Sequence, residues 1–565
     1  MQKRVAAQSA FLPPRQMFSD GLSAKAECAS QRRRTRSMRR NAFRRNRRGR
    51  LKKQIPRPMP MFPKKTRPLL PFLFLSLASA PALADDPSAK IQTAPESGLL
   101  RGLTDDLESR REQLETNSGL RKKNAAAQEE GEDIPDLDDE DLKKHPELAN
   151  RVLNAAMLSE DWDTLEHVSG FYRDIPGHDP VLDAYVRGAL LRAQGRPGKA
   201  AKVYRDILRQ YPDLSYVRLD LAGMLFENRA YKDAAKEFEQ AKREDIESEA
   251  AAQADAYLAA VKQADPWQIR LRGGWQYGSN TNNATSNDYF LWPFAVVGGV
   301  TYYYKLPRDP ESLPHSGSGI SYGAQIGKDT NLAGNHNIGF NLEAEGVRYP
   351  HWRDDDEFSL SLDAGYKYRT LNNTFALTPL VSASWLGGRQ YGRNTGANAS
   401  FSRWATPRLQ LSGVYTFIRK KYRDERYAGY NAALNGLSAS AVYALTPNWF
   451  AFGGLGVQRE KTDDQEETST RRFANLGTLY RFANGTNIRI GGRYVSRKFA
   501  HPAALYGGIT RSDRETYADA SVWKEKWLPG GITPKLEFSY LKVRSNIYAF
   551  PRNKKQISFT LEKEF

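Results

Sequence analysis

Residues able to carry covalent or metal chemistry are sparse in this 565-residue chain. Its one cysteine, Cys28, stands near the start. Residues 85–565 hold none, which excludes a disulfide scaffold, a thiolate zinc site and a cysteine nucleophile from the main body. The seven histidines, His145, His167, His178, His315, His336, His351 and His501, are scattered without ligand spacing. No serine-nucleophile elbow, zinc-helix motif or phosphate-binding loop occurs. Gly317-Ser318-Gly319 reads as a lone glycine-rich turn that neither follows a strand nor opens a helix. A hydrolytic pairing of His351 with a nearby serine is left open. Otherwise no catalytic residue, metal or cofactor is expected, and the chain does not read as an enzyme.

The chemistry that does recur is that of recognition. Residues 181–214 and 215–248 align at a 34-residue period, the length of the helix–turn–helix tetratricopeptide repeat. In the first unit Gly188, Gly195, Ala200, Tyr204 and Pro212 fill the required positions. Small residues let paired helices approach, the aromatic fills the gap and the proline ends the second helix. Ala222, Ala234, Phe238 and Ala241 recur in the second unit, but Ile246 replaces the proline and leaves that helix end unfixed. A degenerate unit over 147–180, around Ala155, Trp162 and Phe171, and a helix over 249–264 are expected to cap an array spanning 148–265. The first helix of each repeat lines a concave face. Offsets place Tyr185, Arg192, Tyr216, Leu219 and Phe226 on or near it, a mixture suited to anchoring a peptide or protein partner. Packing between repeats, or against the next domain, explains the same residues equally well.

From Pro266 the pattern changes to short period-two stretches separated by polar turns. Phe358, Leu360, Leu362, Ala364, Tyr366 and Tyr368 form one such series; others run from Leu409 to Phe417, Ile488 to Tyr494 and Leu536 to Tyr540. About fourteen segments alternate in this way up to Phe565, with aromatics toward their ends. That is the signature of a transmembrane β-barrel. The final segment puts Ile557, Phe559, Leu561 and the terminal Phe565 on one face. Bacterial outer-membrane barrels commonly end in such a strand, which the barrel-assembly machinery recognises. Phe559, Leu561 and Phe565 are therefore taken as the assembly signal, and the lysine stem of Lys563 could snorkel at the membrane edge. The basic run Arg419-Lys420-Lys421 reads as a solvated loop face. The expected fold is α plus β and multidomain: a helical repeat array followed by an antiparallel barrel of about fourteen strands over 266–565.

The net charge of +19 has a narrow origin. Residues 1–60 carry 18 Lys and Arg against Asp20 and Glu27, and Lys64, Lys65 and Arg67 supply the rest, so the chain from Asp85 onward is neutral. Lys64, Lys65 and Arg67 precede an apolar run over 69–78 and the small residues Ala82-Leu83-Ala84, as in a secretory signal cleaved between Ala84 and Asp85. That run is too short for a bilayer span of about twenty residues. The signal is assigned to 59–84. The Arg-rich stretch 1–58 is read as an extension created by start-site choice, in preference to a nucleic-acid arm. Nine carboxylates crowd between Glu129 and Asp141, and 85–147 is expected to be an acidic disordered tether. A mean hydropathy of −0.66 argues against a polytopic helical membrane protein but not against a barrel.

This order of parts resembles the surface lipoprotein assembly modulator family of Gram-negative bacteria. The likeness rests on Gly188-ALLRAQGRPGKAAKVYRDIL, Arg218-LDLAGMLFENR and Gly531-ITPKLEFSYLKVRSN, and it covers about 148–565. It implies a fourteen-stranded outer-membrane barrel behind a periplasmic repeat domain. The implied activity is delivery of client surface lipoproteins, or of related secreted haem-binding proteins, to the cell surface. Implied partners are those clients, the barrel-assembly machinery and outer-membrane lipid; no nucleic acid and no cofactor is implied. The rival expectation is a repeat-linked outer-membrane channel or exopolysaccharide export porin, although such exporters typically carry longer arrays.

Overall fold

Helices fill the first part of the described chain and strands fill the rest. The structure is a computed structural model that describes residues 138–565, Asp245 excepted. The expected Arg-rich extension, the expected signal segment with cleavage between Ala84 and Asp85, and the expected tether up to residue 137 lie outside the described residues.

Helix α1 (Asp139–Lys144) begins inside the stretch expected to be tether, and α2 (Pro146–Leu158) begins before its end. The acids that argued against folding are what start α1. The Asp138 side chain accepts from Asp141 N at 2.8 Å, and Asp139, Glu140 and Asp141 occupy the positive end of the helix dipole. Leu142 is buried and ties the turn to the core. Four helices then follow as two pairs at the expected period. They are α4 (Pro180–Ala193) with α5 (Pro197–Gln210), and α6 (Ser215–Glu227) with α7 (Tyr231–Ala241). The degenerate unit is α2 with α3 (Trp162–Tyr172), and α8 (Ser248–Gln263) closes the array. Without the proline, α7 still stops at Ala241, before Ile246. Left-handed residues punctuate the three units at Glu160, Gly195 and Arg229. Leu153, Leu165, Val168 and Tyr172 build one core; Tyr204, Leu221, Met224, Phe238 and Tyr257 build the next.

The strands are β1 (Gln268–Gly278), β2 (Tyr289–Val297), β3 (Val300–Pro307), β4 (Gly317–Ala333), β5 (His336–Arg348), β6 (Glu357–Arg369), β7 (Asn373–Leu386) and β8 (Arg389–Thr406). They continue as β9 (Leu409–Tyr422), β10 (Ala432–Thr446), β11 (Trp449–Thr462), β12 (Ser469–Arg481), β13 (Thr486–Ala503), β14 (Ile509–Lys524), β15 (Thr533–Ser545) and β16 (Arg552–Glu564). β1 and β4–β16 form a closed barrel of fourteen antiparallel strands, and β2 pairs only with β3. At the closing seam Arg270 lies opposite Glu564 and Trp275 opposite Phe559. An even strand number returns the C-terminus to the rim from which α8 enters, here the near rim; the connection that carries β2 and β3 lies at the opposite, far rim. The alternation read from sequence holds: Leu360, Leu362, Tyr366 and Tyr368 of β6 face outward, as do Ile557, Phe559 and Leu561 of β16. Phe565 donates its N–H to Ile269 O at 3.0 Å, with Lys563 Nζ 4.7 Å from its ring centre. Gly317-Ser318-Gly319 is not a turn. It opens β4, paired with Gly278, Tyr277 and Gln276 of β1.

Candidate functional site

Three parts of the molecule could engage a partner: the face formed by α4 and α6, the lumen, and the far rim. On the first, Gly188 lets the Tyr204 ring cross α4, where a Cβ would meet Tyr204 Cε1 at 2.0 Å. Tyr185 stacks on that ring at 5.0 Å, and Tyr204 donates its hydroxyl to Tyr185 O at 3.0 Å. The Tyr185 hydroxyl donates to Asp220, and burial, reinforced by that carboxylate, pushes it well above the ordinary tyrosine range. Arg192 pairs with Glu227 at 2.7 Å and reaches Asp220 at 3.7 Å. Burial works against its charge, but Glu227, with Asp220 beyond it, outweighs that and holds the guanidinium protonated.

The five residues picked from sequence therefore divide. Tyr185 and Arg192 lie on the face, half-buried, with their polar groups engaged in bracing α4 against α6. Tyr216 is 49% exposed and packs edge-on against Tyr185 at 5.4 Å. Leu219 is half-buried against the array's core. Phe226 is only 4% exposed, wedged against Tyr231 and Tyr257 at 5.5 and 5.2 Å, so it packs between helices instead of offering a ring to a partner. Sequence reasoning missed Asp220 and Glu227. A search for opposite charge or hydroxyl one repeat further on would have found them, since each bond joins residues 35 apart.

The lumen carries most of the barrel's charge. Toward the far rim, Glu460 of β11 pairs with Lys420 of β9 at 2.7 Å, with Arg471 of β12 at 3.7 Å and with Arg497 of β13 at 3.9 Å. Arg497 Nε also donates to Ser469 Oγ at 2.9 Å, and Arg511 pairs with Asp513 at 2.8 Å. The expectation of a solvated loop at Arg419-Lys420-Lys421 is thus corrected. The run lies in β9, whose alternation turns Lys420 inward to be buried with Glu460. Toward the near rim of the same wall, Val442, Phe450, Phe452 and Leu479 form an apolar cluster with Trp404 and Trp523. The wall beside the seam differs: Ser521, Ser539, Gln556 and Ser558 line a polar hollow with Arg489, Asp519 and Glu537.

At the far rim, the β2–β3 hairpin from Tyr289 to Pro307 holds one charged side chain, Lys305. Tyr548 holds its base, its hydroxyl accepting from Leu291 N and donating to Leu291 O, both at 2.7 Å. Among the described residues no group of three or more His, Cys, Asp or Glu is placed to hold a metal. There, too, no hydrogen bond joins His351 to a serine. It is His315 that is engaged, with Asp355 at 3.0 Å and Glu311 O at 2.9 Å, stacked on Trp352.

Comparison with known proteins adds family matches over both parts. The model described as surface lipoprotein assembly modifier matches residues 267–565, and that described as its N-terminal TPR repeats matches 135–238. The surface lipoprotein assembly modifier 1 of Haemophilus influenzae is 28% identical, over 75% of this chain and 86% of that protein. Its namesake in Neisseria meningitidis is 26% identical over 73% and 81%. A hemophilin secretion modulator of Acinetobacter baumannii is 26% identical over 75% and 87%.

Proposed function

The chain belongs to the surface lipoprotein assembly modifier family, and on that premise we propose that it is an outer-membrane translocon. It delivers client surface lipoproteins, or related secreted haem-binding proteins, across the outer membrane to the cell surface. The repeat array lies in the periplasm and the barrel in the outer membrane. The observation that carries the reading is that one chain docks the turns of a repeat array on the near, periplasmic rim of a fourteen-stranded barrel. A barrel of this size encloses a lumen wider than those of eight strands.

In this reading a client meets the array first, on the face where Tyr185, Arg192, Tyr216 and Leu219 lie, and the barrel second. Phe226 supports that face from within. No nucleotide, metal or bond-breaking residue is required. Export is followed by cleavage between Ala84 and Asp85, and the barrel-assembly machinery inserts the barrel through the strand ending in Phe559, Leu561 and Phe565. Outer-membrane lipid covers the outward side chains.

The test is client exposure in intact cells, read by added protease. Loss of the chain, in-frame removal of 148–265 and removal of the barrel are each expected to leave the client inside. Normal exposure without the chain would sink the reading. Tyr216→Ala is expected to lower exposure several-fold with the barrel still folded. A large, client-independent conductance in planar bilayers would favour a passive channel instead.

A further inference from the structure

Two helix–helix turns in the repeat array are bound by the barrel. α4 turns into α5 through Gly195 (φ 72°), and α6 turns into α7 through Arg229 (φ 65°), one 34-residue period later. Inside the array, the N–H groups of Gln194, Arg196 and Gly195 meet the carbonyls of Leu190, Leu191 and Arg192, and those of Asn228, Ala230 and Arg229 meet the carbonyls of Met224, Leu225 and Phe226. At both turns a carbonyl beyond the last helical residue takes an asparagine amide from a periplasmic hairpin. Asn372, between β6 and β7, donates Nδ2 to Gly195 O at 2.9 Å. Asn335, between β4 and β5, donates Nδ2 to Asn228 O and to Arg369 O, the latter at 2.6 Å. The Asn228 side chain answers, donating to Asn335 Oδ1 at 3.1 Å and accepting from Leu371 N at 3.3 Å.

The following helix end is completed in the same way. α7 starts after Ala230, which has no side chain able to cap it. The exposed amide of Lys232 is taken by Asn331 Oδ1 of β4 at 3.0 Å, and Asp233 accepts from Gly334 N at 3.3 Å. Asn331 N in turn donates to Asp265, just ahead of β1, at 2.9 Å. Asn228, Arg229, Ala230 and Asn331 are all buried. Consecutive repeats thus engage consecutive near-rim turns.

We propose that Asn331, Asn335 and Asn372 are positioning residues that hold the repeat array in one fixed pose on the β4–β7 side of the mouth. The pose persists while a client passes from array to barrel. That last clause rests on the translocon reading; the pose itself does not.

Two readouts on the full chain separate them. Trypsin cleavage after Arg229 and Lys232 in isolated outer membranes reports the pose, and protease exposure of a co-expressed lipoprotein reports function. In Asn331→Ala/Asn335→Ala/Asn372→Ala, cleavage is expected to quicken at least tenfold and client exposure to fall at least tenfold, with heat-dependent gel mobility showing a folded barrel. Should that variant not fold, Asn372→Ala alone, which spares the β4–β5 turn, is read the same way. Adding Lys232→Cys and Leu332→Cys, bridged by a short bis-methanethiosulfonate, is expected to restore exposure to within twofold, and reductant to remove the rescue. Unchanged cleavage in the alanine variant overturns the pose. A bridge that restores resistance at Arg229, the trypsin site that remains once Lys232 is cysteine, without restoring export overturns the positioning role. A bridge that stops export in the otherwise unaltered chain shows that the array must swing, and overturns its persistence. If loss of the whole chain leaves the client exposed, the translocon reading fails, while the trypsin arm still decides the pose.

Discussion

In the repeat array Tyr172, Leu221 and Phe238 lie inside and most charge lies outside; in the barrel Leu455, Leu476 and Phe538 face outward while Lys420, Glu460 and Arg497 lie inside. Both arrangements follow from the medium each module faces. Water favours burying apolar surface, whereas lipid offers nothing to a charge and leaves the lumen as its only shelter. Their buried ion pairs differ as well. Arg192 sits between two acids, so losing one leaves a partner. Glu460 is shared by three cations, so its loss takes a carboxylate from Lys420, Arg471 and Arg497 at once.

The sharpest way to expose that difference is Glu460→Gln. It is expected to cost the barrel about 3–5 kcal/mol, the usual effect of stripping the partner from buried charges, seen as a lower urea midpoint of gel mobility. Glu227→Gln in the array, with Asp220 still facing Arg192, should cost about 1–3 kcal/mol by helical thermal melting. Equal costs would erase the contrast.

Next in size is the exchange of media. Leu476 is 72% exposed, yet Leu476→Arg is expected to destabilise the barrel by about 2–4 kcal/mol, because the surface it faces is lipid. Tyr216→Arg, at an exposed array position, should stay within about 0.5 kcal/mol. Gly188→Ala drives a methyl into the Tyr204 ring and should cost the array about 1–3 kcal/mol without moving the barrel's transition.

The smallest effect concerns the joint. Burial raises the Asp265 carboxyl above the ordinary range, and the Asn331 N–H only partly offsets this. A carboxyl whose folded pKa is raised loses stability as pH climbs from the unfolded value through the folded one, so the ionised form weakens the joint at neutral pH. Acidification across that window should therefore slow opening of the joint, measured by amide exchange at Asn331. Asp265→Asn should flatten the dependence. A joint that loosens on acidification would contradict the assignment.

Much of this was legible in the chain. The alternation in β6, β9, β13 and β15 needs only the spacing of near neighbours, and the 34-residue period needs only a comparison of one stretch with the next. Other features were not legible, for specific reasons. Lys420 and Glu460 are forty positions apart and meet only because the barrel lays their strands close together. The acids at 138–141 counted against folding by composition, yet they start a helix once Leu142 has a core to enter. For Phe226, partner anchoring and packing between repeats stood equally open, because offset alone cannot say which way a ring turns. Nothing local marked Asn331, near the end of β4, or Asn335 and Asn372 in the adjoining turns, as residues that would bind the helix turns of another module.

By itself, then, the sequence determined the periods: 34 residues for paired helices and two for strands, with the hydrophobic face of each. These are local properties, carried by side chains a few positions apart. Only the tertiary structure decided which charges would share the lumen, which of five candidate side chains would stay exposed, and how the array would sit on the barrel. Those outcomes depend on contacts between residues far apart in sequence, whose energies exist only once the helices have packed and the barrel has closed.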